Sequence, residues 1–204
     1  METPETFRQY DLKFDIATDT LSCSDPSVAE DLEDLNRVHR GFLALENQAG
    51  VPPPPAPVNP KRTVQITRLK EAGNAEFKKG KIAESLKIYD LAIRMAGDRP
   101  PWEPAGLVRE ELYTLLNNRA AALMAQQEWP AAAGDAEASV ELKRLGNIKG
   151  WWRRGQCLRE MGRLEEAEEW VRSGLEFERA GPDRAAIGEL ETLARDIAKA
   201  LGKS

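Results

Sequence analysis

Histidine occurs once and cysteine twice in these 204 residues, and that scarcity narrows the chemistry. Cys23 and Cys157 stand far apart and outside any CxxC or Cys/His spacing, so neither a disulfide framework nor a zinc knot is expected. A reducing compartment fits such cysteine usage. The single His39 falls inside an amphipathic stretch with no Ser or Cys partner implied nearby, which reads as a structural rather than a catalytic histidine. Acidic pairs such as Glu165 and Glu166 lie where a helix pair meets water. The sequence carries no Gly-rich phosphate loop and no metal-binding constellation. The expectation is a chain that is not an enzyme and uses no cofactor and no metal.

Long apolar runs are also missing. No run approaches the roughly 20 residues needed to cross a bilayer, and METPETFRQYDLKFD at the start lacks the basic and apolar regions of a signal peptide. A cytosolic chain is expected, with no direct membrane insertion, that reaches a membrane only through a partner. An excess of positive charge is lacking as well: 29 Lys and Arg stand against 34 Asp and Glu, a formal net charge of −5. Nucleic-acid binding draws its affinity from clustered cations, so no nucleic-acid partner is expected, and any basic site must be local.

What is present starts with alternation. Tyr10, Leu12, Phe14 and Ile16 interleave with Asp11, Lys13 and Asp15, the period of a half-buried strand. Its edges need pairing, by a short strand near Thr20 to Cys23 or by another chain. An amphipathic helix comes next, opened by Asp25-Pro26-Ser27 with Glu30 placed for a capping box. Val28, Leu32, Leu35, Val38, Phe42 and Leu45 form its apolar stripe. This N-terminal appendage, residues 1–50, either folds back on the first repeat or is covered by a partner chain. VPPPPAPVNP then runs from Val51 to Pro60. Each Pro lacks an amide donor and fixes φ, so a stiff polyproline II linker is expected over residues 51–61, with a docking site for a proline-binding module as the sharper alternative.

From Ile66 onward the chain repeats itself. KEAGNAEFKKGKIAESLKIYDLAI, NNRAAALMAQQEWPAAAGDAEASV and WRRGQCLREMGRLEEAEEWVRSGL align when Gly80, Gln127 and Gly162 share one turn position. Small residues then coincide: Ser85, Ala132 and Ala167, and after them Ala92, Ser139 and Gly174. Close approach of paired helices requires small side chains at such places, and the second and third copies lie about 35 residues apart, near the 34-residue tetratricopeptide period. Three units are expected near Ile66 to Arg99, Tyr113 to Gly146 and Ile148 to Gly181, separated once by the insertion DRPPWEPAG, Asp98 to Gly106. Trp102 in that insertion is a plug for the repeat junction or a partner contact, and the plug is the expectation. A last helix opens at Pro182, and its Ile187, Leu190, Leu193, Ala194, Ile197 and Leu201 make the stripe of a capping helix over 182–201. The fold class is therefore all-α, a tetratricopeptide repeat solenoid over residues 62–204 with a small strand and helix appendage.

The first helix of each pair lines the concave face of such a solenoid. Lys70 and Asn74 are one turn apart on the first of these helices, Asn118 stands at the corresponding level of the second, and Lys149 and Arg153 are one turn apart on the third. In this pattern the chain resembles the tetratricopeptide clamp domains of cochaperones, whose motif reads KxxxN, then N before R, then KxxxR. LKEAGN, NNR and KGWWR fill all five places. The resemblance implies a two-carboxylate clamp in which Lys70, Asn74, Asn118, Lys149 and Arg153 hold the terminal carboxylate and Asp side chain of a chaperone peptide ending in Glu-Glu-Val-Asp. It also implies an apolar peptide pocket at Phe77, Ala121 and Met124, positions that ordinary solenoid core would equally fill. Lys143 and Arg154 are bystanders that add to the positive field. The bland alternative for the five is a solvated helix face.

The order of strand, helix, Pro-rich spacer and three repeats with RPPWEPAGLVREEL between the first two is similar to the peripheral tetratricopeptide subunits of the fungal post-translational Sec translocon. That resemblance implies an adaptor on the cytosolic face of the endoplasmic reticulum, bound to a small membrane-anchored translocon subunit and receiving heat-shock seventy class chaperones. A soluble cochaperone for a ninety-kilodalton-class chaperone and a structural scaffold without peptide binding are the alternatives.

Overall fold

The computed structural model of the chain describes residues 8–44, 58 and 60–203. The expected Pro-rich linker, 51–61, lies outside the described residues apart from Val58, Pro60 and Lys61. The chain forms two compact units, one of residues Met1–Pro57 with Pro100–Glu103, the other of Val58–Arg99 with Pro104–Ser204.

The first unit contains the hairpin that the alternating pattern predicts. Strand β1, Leu12–Asp15, pairs antiparallel with β2, Thr20–Cys23, with Leu12 opposite Cys23 and Phe14 opposite Leu21. Asp15 closes the turn by accepting a 2.8 Å bond from the Ala17 amide, and Asp19 takes the left-handed backbone (φ 50°) that the tight return needs. Asp25 caps a 3-10 turn, Pro26–Val28, through the Ser27 amide at 2.9 Å, and helix α1, Ala29–Leu43, continues from it. Among the described residues neither Ser27 Oγ nor Glu30 makes a capping bond at the start of α1, so the expected capping box is replaced by the Asp25 cap.

Helix α1 covers the outer edge of β2 by an unexpected route. Asn36, buried, presents its amide to Leu21 as a third strand would: Oδ1 accepts from the Leu21 N–H at 2.7 Å and Nδ2 donates to the Leu21 C=O at 2.9 Å. The buried line of α1 passes through Leu32 and Asn36, while Leu35, placed on the stripe by the sequence, is exposed. Leu45 lies outside the described residues. The expectation of a half-buried strand is corrected too. Leu12 is 52% exposed, Phe14 51% and Ile16 84%, so the apolar row of β1 stands open. Trp102, expected as a plug for the repeat junction, belongs to this first unit. Its ring stacks on Phe42 at 4.7 Å between centroids, and it also closes on the bare Cα of Gly41.

The second unit is the solenoid. Its helix pairs are α2, Lys61–Lys78, with α3, Ile82–Gly97; α4, Ala105–Ala125, with α5, Trp129–Leu142; and α6, Ile148–Glu160, with α7, Leu164–Glu178; α8, Arg184–Ala200, closes the stack. The aligned turn positions are physically equivalent: Gly80, Gln127 and Gly162 all adopt left-handed backbone, φ 76°, 61° and 74°. The aligned small residues Ser85, Ala92, Ala132, Ser139, Ala167 and Gly174 are all buried. At Gly73 the reason is direct, because a Cβ there would sit 2.6 Å from the Tyr89 ring. One hydrophobic cluster surrounds Ile66, Tyr89 and Leu115, another Trp151, Val171, Leu190 and Ile197.

Two boundaries differ from expectation. Helix α4 begins at Ala105 rather than near Tyr113, so the end of the insertion is the first turn of a long helix. The junction is fixed by Arg99, a buried guanidinium held by Glu111 through two bonds (2.8 and 2.6 Å) and donating to Thr63 Oγ1 at 2.6 Å. Pro182 precedes α8 instead of opening it. Asp183 is the N-cap, its Oδ1 accepting from the Ala186 amide at 3.0 Å.

Candidate functional site

The five residues singled out by the sequence all fall in the solenoid unit, on α2, α4 and α6, and hydrogen bonds tie these helices together at their level. Asn118 Nδ2 donates to Asn74 Oδ1 at 3.0 Å, bridging α4 and α2. Tyr89 of α3 donates its phenol to the same oxygen at 2.6 Å. Asn74 Oδ1 accepts both bonds, and its Nδ2 donates to no side chain or carbonyl among the described residues. Tyr89 is buried, and burial raises its phenol above the ordinary tyrosine range, so it stays a neutral donor.

Arg153 reaches the same neighbourhood from α6. Its Nη1 donates to Asn117 Oδ1 at 3.0 Å, one residue before Asn118. Burial lowers its affinity for the proton from the ordinary arginine value, yet a guanidinium remains charged at neutral pH. Three other arginines drawn partly or wholly out of water in this unit have acidic partners: Arg99 pairs with Glu111, Arg119 with Asp90 and Asp135, and Arg154 with Glu137. Among the described residues Arg153 has no carboxylate partner. It is a partly desolvated cation held by a neutral amide, which is what an anion site requires before its anion arrives.

Lys149, on the exposed side of α6, lines a cavity of about 360 Å³ together with Asn118 and Asn117 of α4, and Glu178 and Asp183 form part of the far wall. Lys70 lies one turn before Asn74 on α2, half-buried. Neither lysine makes an ion pair among the described residues. Asn74 and Asn118 are bonded to each other, Lys149 shares a cavity wall with Asn118, and Arg153 is bonded to the adjacent Asn117, while Lys70 is placed by its position on α2; all five carry N–H donors suited to a negatively charged ligand. Carboxylates are the fitting match, since every one of these groups can donate a charge-assisted or neutral hydrogen bond.

Three residues expected to form an apolar pocket have mixed surroundings. Phe77 packs on the cluster around Tyr89 and Met124 on the cluster around Ala132 and Cys157, while Ala121 is half-buried between those levels. Each keeps some exposed surface. The two bystander cations add little field: Lys143 is paired with Glu110 at 3.0 Å and lies over the Tyr113 ring, and Arg154 joins Glu137 beneath the Trp170 ring.

Sequence reasoning missed the polar layer behind these residues. Asn117 is buried and its Nδ2 donates to Asn147 Oδ1 at 2.7 Å; Asn147 Nδ2 in turn donates to the Ser139 carbonyl at 3.0 Å. Asn147 also caps α6, accepting from the Gly150 amide at 3.3 Å, and its own N–H donates to Glu178 Oε1 at 2.8 Å. The doublet Asn117-Asn118 and an Asn just before a helix start were the available signals.

No protein-family model matches the chain. It is 39% identical over 143 residues to the ER protein translocation subcomplex subunit sec67 of Schizosaccharomyces pombe, a match covering 69% of this chain and 74% of that subunit. To the STIP1 homolog of Dictyostelium discoideum it is 33% identical over 114 residues, 56% of this chain and 18% of that protein. Among solved structures, a chain in the cryo-EM structure of the Sec complex from S. cerevisiae superposes with a TM-score of 0.73 at 24% identity, covering 94% of this chain and 98% of that one, which is a likeness of fold. The first TPR domain of Spaghetti (RPAP3), bound to the HSP90 peptide SRMEEVD, superposes at 0.51 with 28% identity over 67% of this chain and 93% of its own. The second TPR domain of human RPAP3, in complex with the HSP70 peptide SGPTIEEVD, gives 0.51 and 25% over 65% and 97%. At that identity, and with that share of sec67 covered, this chain belongs to the family of the sec67 subunit of the ER protein translocation subcomplex, and its solenoid is a tetratricopeptide domain.

Proposed function

We propose that this protein is an adaptor, peripheral on the cytoplasmic face of the endoplasmic reticulum, that docks heat-shock seventy class chaperones to the translocation complex by gripping their acidic C-terminal peptide. The observation that carries the reading is Arg153, a cation without a carboxylate partner among the described residues, set beside the linked amides of Asn74 and Asn118. In this reading Lys70, one turn from Asn74, and Lys149, on the cavity wall with Asn118, supply the remaining positive charge. A C-terminal Asp presents two carboxylates a few ångströms apart, and only several convergent donors neutralise such a pair. The role asks for binding and release, not for chemistry.

A charge-assisted hydrogen bond contributes about 1.5–3 kcal/mol, so a few of them less the ordering cost give micromolar affinity, near −8 kcal/mol. Calorimetry with SGPTIEEVD is the test. Arg153→Ala and amidation of the peptide C-terminus are each expected to weaken binding about tenfold or more, about 1.4 kcal/mol. Equal affinity for free and amidated peptide contradicts the clamp and leaves a scaffold reading. Tighter binding of SRMEEVD than of SGPTIEEVD favours a ninety-kilodalton-class chaperone instead.

The anchoring partner is assigned to the first unit. Leu12 and Phe14 stand open on a strand whose outer edge is unpaired within the hairpin, with Ile16 exposed in the turn that follows, which supports coverage by another chain, here the small membrane-anchored translocon subunit. Leu12→Asp with Phe14→Asp is expected to abolish co-purification with that subunit while peptide affinity stays at the native value. Retained co-purification rejects this face as the anchor.

A further inference from the structure

The polar layer behind the clamp has a property that its packing does not explain. A guanidinium wholly or partly withdrawn from water is most simply satisfied by a carboxylate, as Arg99 and Arg119 are in this same domain. At Arg153 the position in reach is taken by an amide of the same shape as Asp, Asn117, whose Oδ1 accepts at 3.0 Å. The amide is oriented in turn. Its Nδ2 donates to Asn147 Oδ1 at 2.7 Å, and Asn147 is fixed by Ser139 and by its own place as the cap of α6. One chain of hydrogen bonds thus runs from the start of the helix that carries Lys149 and Arg153, through α4, back to the guanidinium. With Asn147 held, the Asn117 amide has one orientation, oxygen toward Arg153.

We infer that Asn117 is a positioning residue that holds Arg153 aimed into the groove without neutralising it, keeping the clamp open to an outside carboxylate. This rests on the clamp reading above and adds a condition to it: at position 117 an acceptor is needed and a negative charge is excluded. An Asp there would satisfy Arg153 permanently, and the peptide would have to compete with a carboxylate already in place at intramolecular concentration. The same change supplies a half-buried cation with the carboxylate it lacks, which offsets the loss of the amide donor toward Asn147. Loss of binding and loss of stability are therefore separable at this residue, which a merely structural role does not allow.

The experiment measures SGPTIEEVD and its amidated form by calorimetry on the full chain, with thermal unfolding of each variant alongside. Native protein that fails to distinguish the two peptides removes the clamp reading itself, whatever the variants do. Given native discrimination, Asn117→Asp is expected to lose about tenfold or more in affinity for the free-acid peptide, and most of the discrimination, while its unfolding midpoint stays within a few degrees of native or rises. Asn117→Asp with native affinity overturns the inference, as does a loss of binding matched by a large fall in midpoint. Asn117→Leu is the second arm, uncharged and without an acceptor. It is expected to fold and to lose about fivefold or more, because the guanidinium is no longer aimed. Native affinity in Asn117→Leu overturns the positioning role independently of the Asp variant.

Discussion

At the scale of single residues, the proposed clamp depends on contacts too close to be read as decoration. Gly73 precedes Asn74 and leaves room for the Tyr89 ring that donates to Asn74 Oδ1; Ser85 donates to the Gly73 carbonyl at 2.9 Å from the same side. Gly73→Ala gains about 1 kcal/mol of helix propensity but forces a buried aromatic ring to move by several tenths of an ångström, and overpacking of that kind costs about 1–3 kcal/mol. The net expectation is a lower urea midpoint with unchanged slope, together with weaker peptide binding as Tyr89 is pushed from Asn74. Full stability and affinity in that variant would show that the ring has slack. Gln127 gives the opposite sign. It sits at φ 61° where the other two repeats place glycine, and left-handed backbone costs a residue with a Cβ about 1–2 kcal/mol, partly offset by the greater unfolded-state freedom of Gly. Gln127→Gly is expected to stabilise by about 0.5–1 kcal/mol in chemical denaturation.

At the scale of elements, most of the solenoid was legible because its cause is local and repeated. Gly80, Gln127 and Gly162 aligned as turn residues and share one backbone conformation; Ser85, Ala132 and Ala167 aligned as small residues and are all fully buried. Of the predicted site residues, Asn118 is bonded to Asn74 and shares a cavity wall with Lys149, while Arg153 reaches Asn117, the neighbour of Asn118, and Lys70 is related to the others only by its place one turn from Asn74. What escaped depends on pairings distant in sequence. Nothing in the α1 stripe announces that Asn36 will cap the edge of β2, and nothing in DRPPWEPAG announces that Arg99 will be buried on Glu111. Asn117 was hidden by its neighbour, since the motif singles out Asn118 and says nothing of the residue behind it. The Arg99 junction is testable as a pair. Arg99→Met alone leaves Glu111 as a mostly buried carboxylate without this partner and is expected to cost about 3–5 kcal/mol, whereas adding Glu111→Leu is expected to recover at least half of that. A double variant no better than the single would show that Arg99 acts through packing of its stem and not through charge.

At the scale of the whole molecule, a net charge of −5 makes the chain a poor general binder of acidic peptides, so affinity has to be concentrated where Arg153, Lys149 and Lys70 lie. Binding energy put into that groove must reappear as resistance of the solenoid to opening, and Cys157 can report it. Cys157 is fully buried on α6, one turn beyond Arg153, and burial drives its thiol up to about 11 against the opposing pull of the Arg153 charge. At pH 8 only about one thiol in a thousand is then thiolate, and it has no route to solvent, so alkylation requires α6 to come away from its neighbours. That opening disperses the clamp. A peptide held only by the closed form at about 100 times its Kd stabilises that form by about 2.7 kcal/mol, and alkylation of Cys157 should slow about a hundredfold when opening is a rapid pre-equilibrium. Cys23, partly exposed in the hairpin unit, serves as the control and should react at one rate throughout. The amidated peptide should protect Cys157 far less than the free acid. Equal protection by the two would mean that whatever the groove holds, it is not held by its terminal carboxylate.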